Sequence, residues 1–174
     1  MIISDYGKVV TGKTPITKNK DYWGGNIPFV TPGDIQATKH IFSTSRYITK
    51  SGFESVSTNI KLPKDAVCVS CIGNIGYVGK TTTECISNQQ INSIIVDSKH
   101  NSDYVYYVMK SLWPFFKNYE GQSTTLSILN KNQFSKIKVP ELSRIKEDYI
   151  AKILNSLDDK IELNKQINKN LYAA

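Results

Sequence analysis

The sequence predicts an α+β fold: a body built on a curved or barrel-like mixed sheet with few helices, followed by one long C-terminal coiled-coil helix. Three observations carry this. Short β-branched or aromatic runs bounded by Gly, Pro and Asn recur through the first 140 residues. No Gly or Pro follows Pro140. Beyond it, apolar residues return at three- and four-residue steps almost to the end.

Taken in order, residues 27–30, 66–72, 77–82 and 91–96 read as strands, and 51–56 as a short helical turn. A helix is expected over 102–112, capped by Asn101 or Ser102, with Pro114 near its end. The long helix starts at Ser143, which can cap it, with Glu147 and Asp148 near its positive end. Lys146 stands where a reciprocal capping box would need Glu or Gln. Ile150, Ile153, Leu154, Leu157, Ile161, Ile167 and Leu171 form the seam, with Asn164 and Asn168 on or beside it. At about 1.5 Å per residue this seam runs roughly 40 Å, more apolar stripe than a small body covers. A partner helix is therefore expected, the alternative being a terminal helix packed along its own domain.

The chain divides at Pro140 into a body, 1–140, and a helix, 141–174. Its 174 residues hold 22 Lys+Arg against 15 Asp+Glu, a net charge of +7. The body has 16 basic and 9 acidic residues, the tail 6 and 6, so all the excess positive charge lies on the body. A polyanion partner is expected for the body and a different task for the helix. With 40% hydrophobic residues and 10% aromatics, wholesale disorder is excluded. No apolar run approaches a membrane span, and no signal peptide is visible at the N-terminus. Three cysteines argue against a disulfide framework and for a reducing cytoplasm.

Gly7-Lys8-Val9-Val10-Thr11-Gly12-Lys13-Thr14 matches the phosphate-loop pattern G-x-x-x-x-G-K-S/T letter for letter, and Ile94-Ile95-Val96-Asp97 could serve as its second strand. Such a loop needs a buried strand before it and a helix starting at the Lys. The following ITKNKDYWGG has no apolar helical face, so a small ATPase built on Lys13 is the weaker alternative. Cys68 and Cys71 lie three apart within a strand, on opposite faces, which spoils chelation. The two D-x-K triplets, at 97–99 and 158–160, lack a suitable acidic partner for a magnesium nuclease. Neither His40 nor His100 has a triad setting, and no metal site or catalytic residue is expected.

Nucleic-acid signals are better supported. Lys8, Lys13, Lys18 and Lys20 sit in or beside a polar loop ending Asp21-Tyr22-Trp23-Gly24-Gly25, and residues 120–125 form a second polar loop. Lys13, Lys18, Lys20 and Arg46 are the candidates for phosphate positioning. Tyr22, Gln122, Ser123 and Thr124 are those for base or groove contact. A docking module that binds nucleic acid without sequence preference is the other alternative.

The order of motifs then resembles a known family. Thr11-Gly12-Lys13-Thr14-Pro15 is followed by Tyr22-Trp23-Gly24, by the run from Ile27 to Ile35 (IPFVTPGDI), and by Leu62-Pro63-Lys64-Asp65-Ala66-Val67. Ile72-Gly73-Asn74-Ile75-Gly76, Asn88-Gln89-Gln90-Ile91-Asn92, Ile137-Lys138-Val139-Pro140 and the run from Ile150 to Ile161 (IAKILNSLDDKI) complete the series. Over nearly the whole chain this is similar to one target recognition domain and the following long helix of type I restriction-modification specificity subunits. The resemblance turns TGKTP into the opening turn of a DNA-binding domain, and Gly73, Gly76 and Gly79 into turn positions. It makes Asn88-Gln89 a structural pair holding the loop before the strand 91–96. It implies a non-catalytic reader of one half of a bipartite DNA target, with no cofactor in this chain. S-adenosylmethionine, ATP and magnesium are implied on the modification subunits and the restriction motor subunit. Family members commonly carry two recognition domains and two long helices. This chain, with one of each, is expected to be a half-subunit or a fragment. A homodimer through Ile150, Leu154, Leu157, Ile161 and Asn164 would rebuild the full arrangement.

Overall fold

The computed structural model describes residues 1–35, 39–121 and 126–173. In chain order the strands are β1 (Gly7–Thr11), β2 (Trp23–Val30), β3 (His40–Ile41), β4 (Arg46–Ile48), β5 (Val67–Ser70), β6 (Val78–Thr81), β7 (Ile86–Ser87) and β8 (Ile91–Val96). The helices are α1 (Lys50–Glu54), α2 (Ser102–Ser111), α3 (Trp113–Gly121), α4 (Lys131–Ser135) and α5 (Arg144–Ala173).

The architecture is mixed α+β, ending in the expected long helix. Strands β1-β8-β5-β6-β3 form one sheet and β4-β2-β7 a second. Neighbours pair antiparallel except β3 with β6 and β7 with β2. Both sheets are open among the described residues, so closure into the barrel-like form expected from the sequence is not seen there. The larger sheet is covered on both faces. Val9, Val67, Val69 and Ile94 pack toward the side of Met109, Phe116 and Phe134 from α2, α3 and α4. Their neighbours Val10, Cys68 and Ile91 pack with Val30, Ile35, Ile41 and Leu62 on the other side. This alternation is the period-two rule for a strand buried on both faces. The small sheet packs its own cluster, Phe29, Ile48 and Ile86, against Phe53 of α1.

Asn101 caps α2 as expected, its side chain accepting from the amides of Asp103 and Tyr104. Pro114 does not stop the helical region. It stands in the first turn of α3, where its missing N–H costs little. Gly73 and Gly76 are turn residues with positive φ, 74° and 98°. Gly79 lies instead inside β6, where a Cβ would come within 3.1 Å of the Ile41 side chain.

The N-terminus is stitched to the segment before α5: Ile3 N donates to Ile137 O and Val139 N to Met1 O, each at 3.0 Å, and Tyr6 Oη donates to Pro140 O at 2.9 Å. α5 then lies along α2 through Glu147, Ala151, Asn155 and Asp158, a stripe different from the apolar seam. Ile150 packs partly against the main core, while Leu157 and Ile161 stay 51% and 52% exposed.

Candidate nucleic-acid interface

The TGKTP turn is built by close approach of two backbones. Gly12 N donates to Ile91 O at 3.2 Å, and a Cβ on Gly12 would meet the carbonyl oxygens of Ser87 and Asn88 at 2.3 Å. Only Gly fits there. Thr11 Oγ1 donates to Asn92 Oδ1 at 2.6 Å and Thr14 Oγ1 to Gln89 Oε1 at 2.8 Å. Asn88 folds its own turn, its Oδ1 accepting from Gln90 N and its Nδ2 donating to Gln90 Oε1. Asn88 thus holds the turn before β8, the structural role expected of the Asn-Gln pair, and Gln89 ties that turn to the first basic loop.

That loop also closes at its far end. Trp23 Nε1 donates to Ile16 O at 3.4 Å, and Thr49 N donates to Tyr22 O at 3.0 Å. Asn19 caps the 3-10 turn Lys20–Tyr22 by accepting from Asp21 N. Lys13, Lys18 and Lys20 are all exposed on this anchored loop. Tyr22 is half-buried, its backbone pressed against Gly52 at the start of α1. Arg46 on β4 is exposed, its guanidinium 3.7 Å from the Trp23 ring centroid, and Trp23 meets Phe29 edge-on at 5.2 Å. Stacking occupies the guanidinium face and leaves its N–H edge for an acceptor. The structure therefore joins Arg46 to the lysine loop through Trp23, an aromatic the sequence left undecided between core and contact. Between Trp23 and Ile27 the pairing of β2 with β4 slips, and Gly24, Gly25 and Asn26 bulge into solvent. Gln122, Ser123 and Thr124 lie outside the described residues.

The phosphate-loop pattern has the wrong surroundings. Its first five residues form β1, which pairs antiparallel with β8, and no helix begins at Lys13. Cys68, Cys71 and Cys85 are buried free thiols; burial pushes Cys68 up to about 11 and Cys71 up to about 12. No cluster of His, Cys, Asp or Glu suited to a metal occurs among the described residues.

A polar junction that sequence reasoning missed joins the body to α5. At the start of the helix, fully buried Glu147 accepts from Asn101 N through Oε2 at 2.8 Å, and its Oε1 lies 2.8 Å from His100 Nδ1. Asp148 Oδ1 accepts from Asn101 Nδ2 at 2.6 Å and Arg144 Nε at 2.8 Å. Two turns on, Asp103 Oδ1 accepts from Lys80 Nζ at 2.6 Å and Lys39 Nζ at 2.9 Å, while its Oδ2 accepts from Asn155 Nδ2 at 3.0 Å. Lys39 also donates to Asn155 Oδ1, and Tyr107 Oη donates to Asp158 Oδ2 at 2.6 Å. Burial alone would raise the Asp103 carboxyl. Hydrogen bonds from Lys80, Lys39 and Asn155 outweigh it and hold the group well below the usual carboxylate range. The available signal was Asn155 and Asp158 at helical spacing from Ala151 and Glu147, a polar stripe beside the apolar one.

A family model for the type I restriction modification DNA specificity domain matches residues 1–173. The MjaIX type I restriction enzyme specificity subunit of Methanocaldococcus jannaschii is 33% identical over 173 residues, covering 97% of this chain and 40% of that protein. The HindI specificity subunit of Haemophilus influenzae is 32% identical over 171 residues, covering 97% and 37%. This chain spans about two fifths of the length of these curated relatives. The crystal structure of the HsdS subunit from Thermoanaerobacter tengcongensis matches with a TM-score of 0.71 at 12% identity, over 96% of this chain and 39% of that one, a likeness of fold.

Proposed function

The chain belongs to the type I restriction modification DNA specificity family, and from that membership we propose that it reads sequence in double-stranded DNA as one half of a bipartite recognition unit. Residues 1–140 are the target recognition domain, and 141–174 the spacer and dimerisation helix. Lys13, Lys18, Lys20 and Arg46 position the phosphate backbone, while Tyr22, Gln122, Ser123 and Thr124 meet bases or groove walls. The chain itself is non-catalytic. It directs cytoplasmic partners: modification subunits that methylate adenine with S-adenosylmethionine, and a motor subunit that cleaves with ATP and magnesium. Leu154, Leu157, Ile161 and Asn164 pair with a second copy as a coiled coil, with Ile150 at the body end of that seam.

Family membership over nearly the whole chain carries this reading, and the anchored basic loop supports where on the body it operates. Selection from a random duplex library, at near-physiological salt and with the purified chain, tests it. A short enriched motif is the expected result. Motif-free recovery both from the chain alone and from the chain with its modification subunits would overturn it.

A further inference from the structure

We propose that the cluster centred on Asp103 is a positioning device that fixes the direction in which α5 leaves the DNA-reading body. One carboxylate holds three elements at once: Lys80 from β6, Lys39 from the entry to β3, and Asn155 from α5. Lys80 is 2% exposed, and its ammonium also lies 3.2 Å from Asp65 Oδ1. Tyr107, on α2 with Asp103, adds its bond to Asp158 one helical turn beyond Asn155. Among the described residues, the only buried apolar one on this stripe of α5 is Ala151. Stability alone does not call for such a junction, because well-packed apolar residues commonly serve as well as buried charges. Hydrogen bonds add direction. An apolar contact between two helices can slide or roll, whereas Asn155 must present both its amide N–H and its carbonyl to fixed partners.

The position of the cluster gives it leverage. From Asn155 to the end of α5 the helix runs about 27 Å at 1.5 Å per residue, so a tilt of roughly 10° would move its tip by about 5 Å, more than one base-pair step of about 3.4 Å. The consequence for DNA rests on the function proposed above: a rigid junction holds two recognition domains at one spacing and a loose one does not. The orientation itself is measured without DNA.

The test uses the full chain carrying spin labels at Glu54→Cys and Glu162→Cys, both exposed positions, diluted into excess unlabelled chain so that only distances within one molecule are read. The wild-type background gives one narrow distance distribution. Asn155→Leu and Asp103→Asn widen it at least twofold while unfolding stays cooperative. Should Asp103→Asn fail to fold, Tyr107→Phe removes only the donor to Asp158 and still widens the distribution. Unchanged widths in the folded variants would overturn the proposal, whatever the DNA results. On duplexes carrying two half-sites, the same variants bind spacers one base pair longer or shorter within threefold of the best spacer, with single half-site affinity unchanged. A wild type that selects no motif would count against the proposed function, and the distance widths alone would then decide this inference.

Discussion

A methyl group on Gly12 would meet the Ser87 and Asn88 carbonyl oxygens at 2.3 Å, so this glycine is required by contact with its own protein. Lys13 beside it is exposed, and the loop that follows ends in a tryptophan whose ring carries the Arg46 guanidinium at 3.7 Å. Each lysine on the loop is a mobile point charge on a fixed backbone. Such a charge suits phosphate, which asks for neutralisation more than for fine geometry. Counterion release makes the consequence measurable. If Lys18 and Lys20 each neutralise one phosphate, Lys18→Ala with Lys20→Ala flattens the log–log salt dependence of duplex binding by about 1.8, roughly 0.9 for each contact. The lost affinity is then nearly the same for every target sequence. A salt slope equal to that of the unmodified chain would take both lysines out of the interface.

At the scale of elements, α5 carries two stripes with opposite chemistry. The polar one, Glu147, Asn155 and Asp158 around Ala151, faces α2; the apolar one, Ile153, Leu157, Ile161 and Ile167, faces solvent. Leu163 widens the apolar stripe further. Charge on the outer stripe should therefore disturb association without unfolding the body. If two copies pair through this stripe, Leu157→Glu with Ile161→Glu is expected to turn a sedimenting dimer into a monomer. The melting temperature of the body then stays within about 2 °C of the unmodified chain's, both measured at a concentration where each is a monomer, since exposed substitutions seldom cost more than about 0.5 kcal/mol. A variant that remains dimeric would move the pairing surface elsewhere. The apolar stripe was legible because its period survives any context. The polar stripe was not, because Glu147 looked like a macrodipole anion, and only the fold brings His100 and Asn101 to it. The same logic separates the strands. β8 was readable to the residue from its β-branched run, whereas β3 and β7 are two residues long and exist only through pairing with β6 and β2. β1 was hidden inside a phosphate-loop pattern whose letters matched and whose surroundings did not.

For the whole molecule, charge and symmetry act together. The body holds the entire net charge of +7 and the helix segment is neutral, so two copies paired through their helices would set two basic bodies apart on a neutral spacer. A two-fold pair presents the same reading surface in opposite senses, so its best target is an inverted repeat. Both bodies can engage such a site at once, and the second contact becomes intramolecular at high effective concentration. Binding to an inverted repeat at the preferred spacing is thus expected to exceed binding to one half-site by about a hundredfold or more. A direct repeat of the same half-sites, which contains every base contact but in the wrong sense, stays near the half-site value. Equal affinity for the single half-site and the inverted repeat, measured by titration at one salt concentration, would show that the bodies read DNA independently. The helix would then serve a protein partner in place of a second copy. The direct repeat is the critical control, because non-specific attraction to a basic surface raises binding to both repeats alike, and only two-fold geometry separates them.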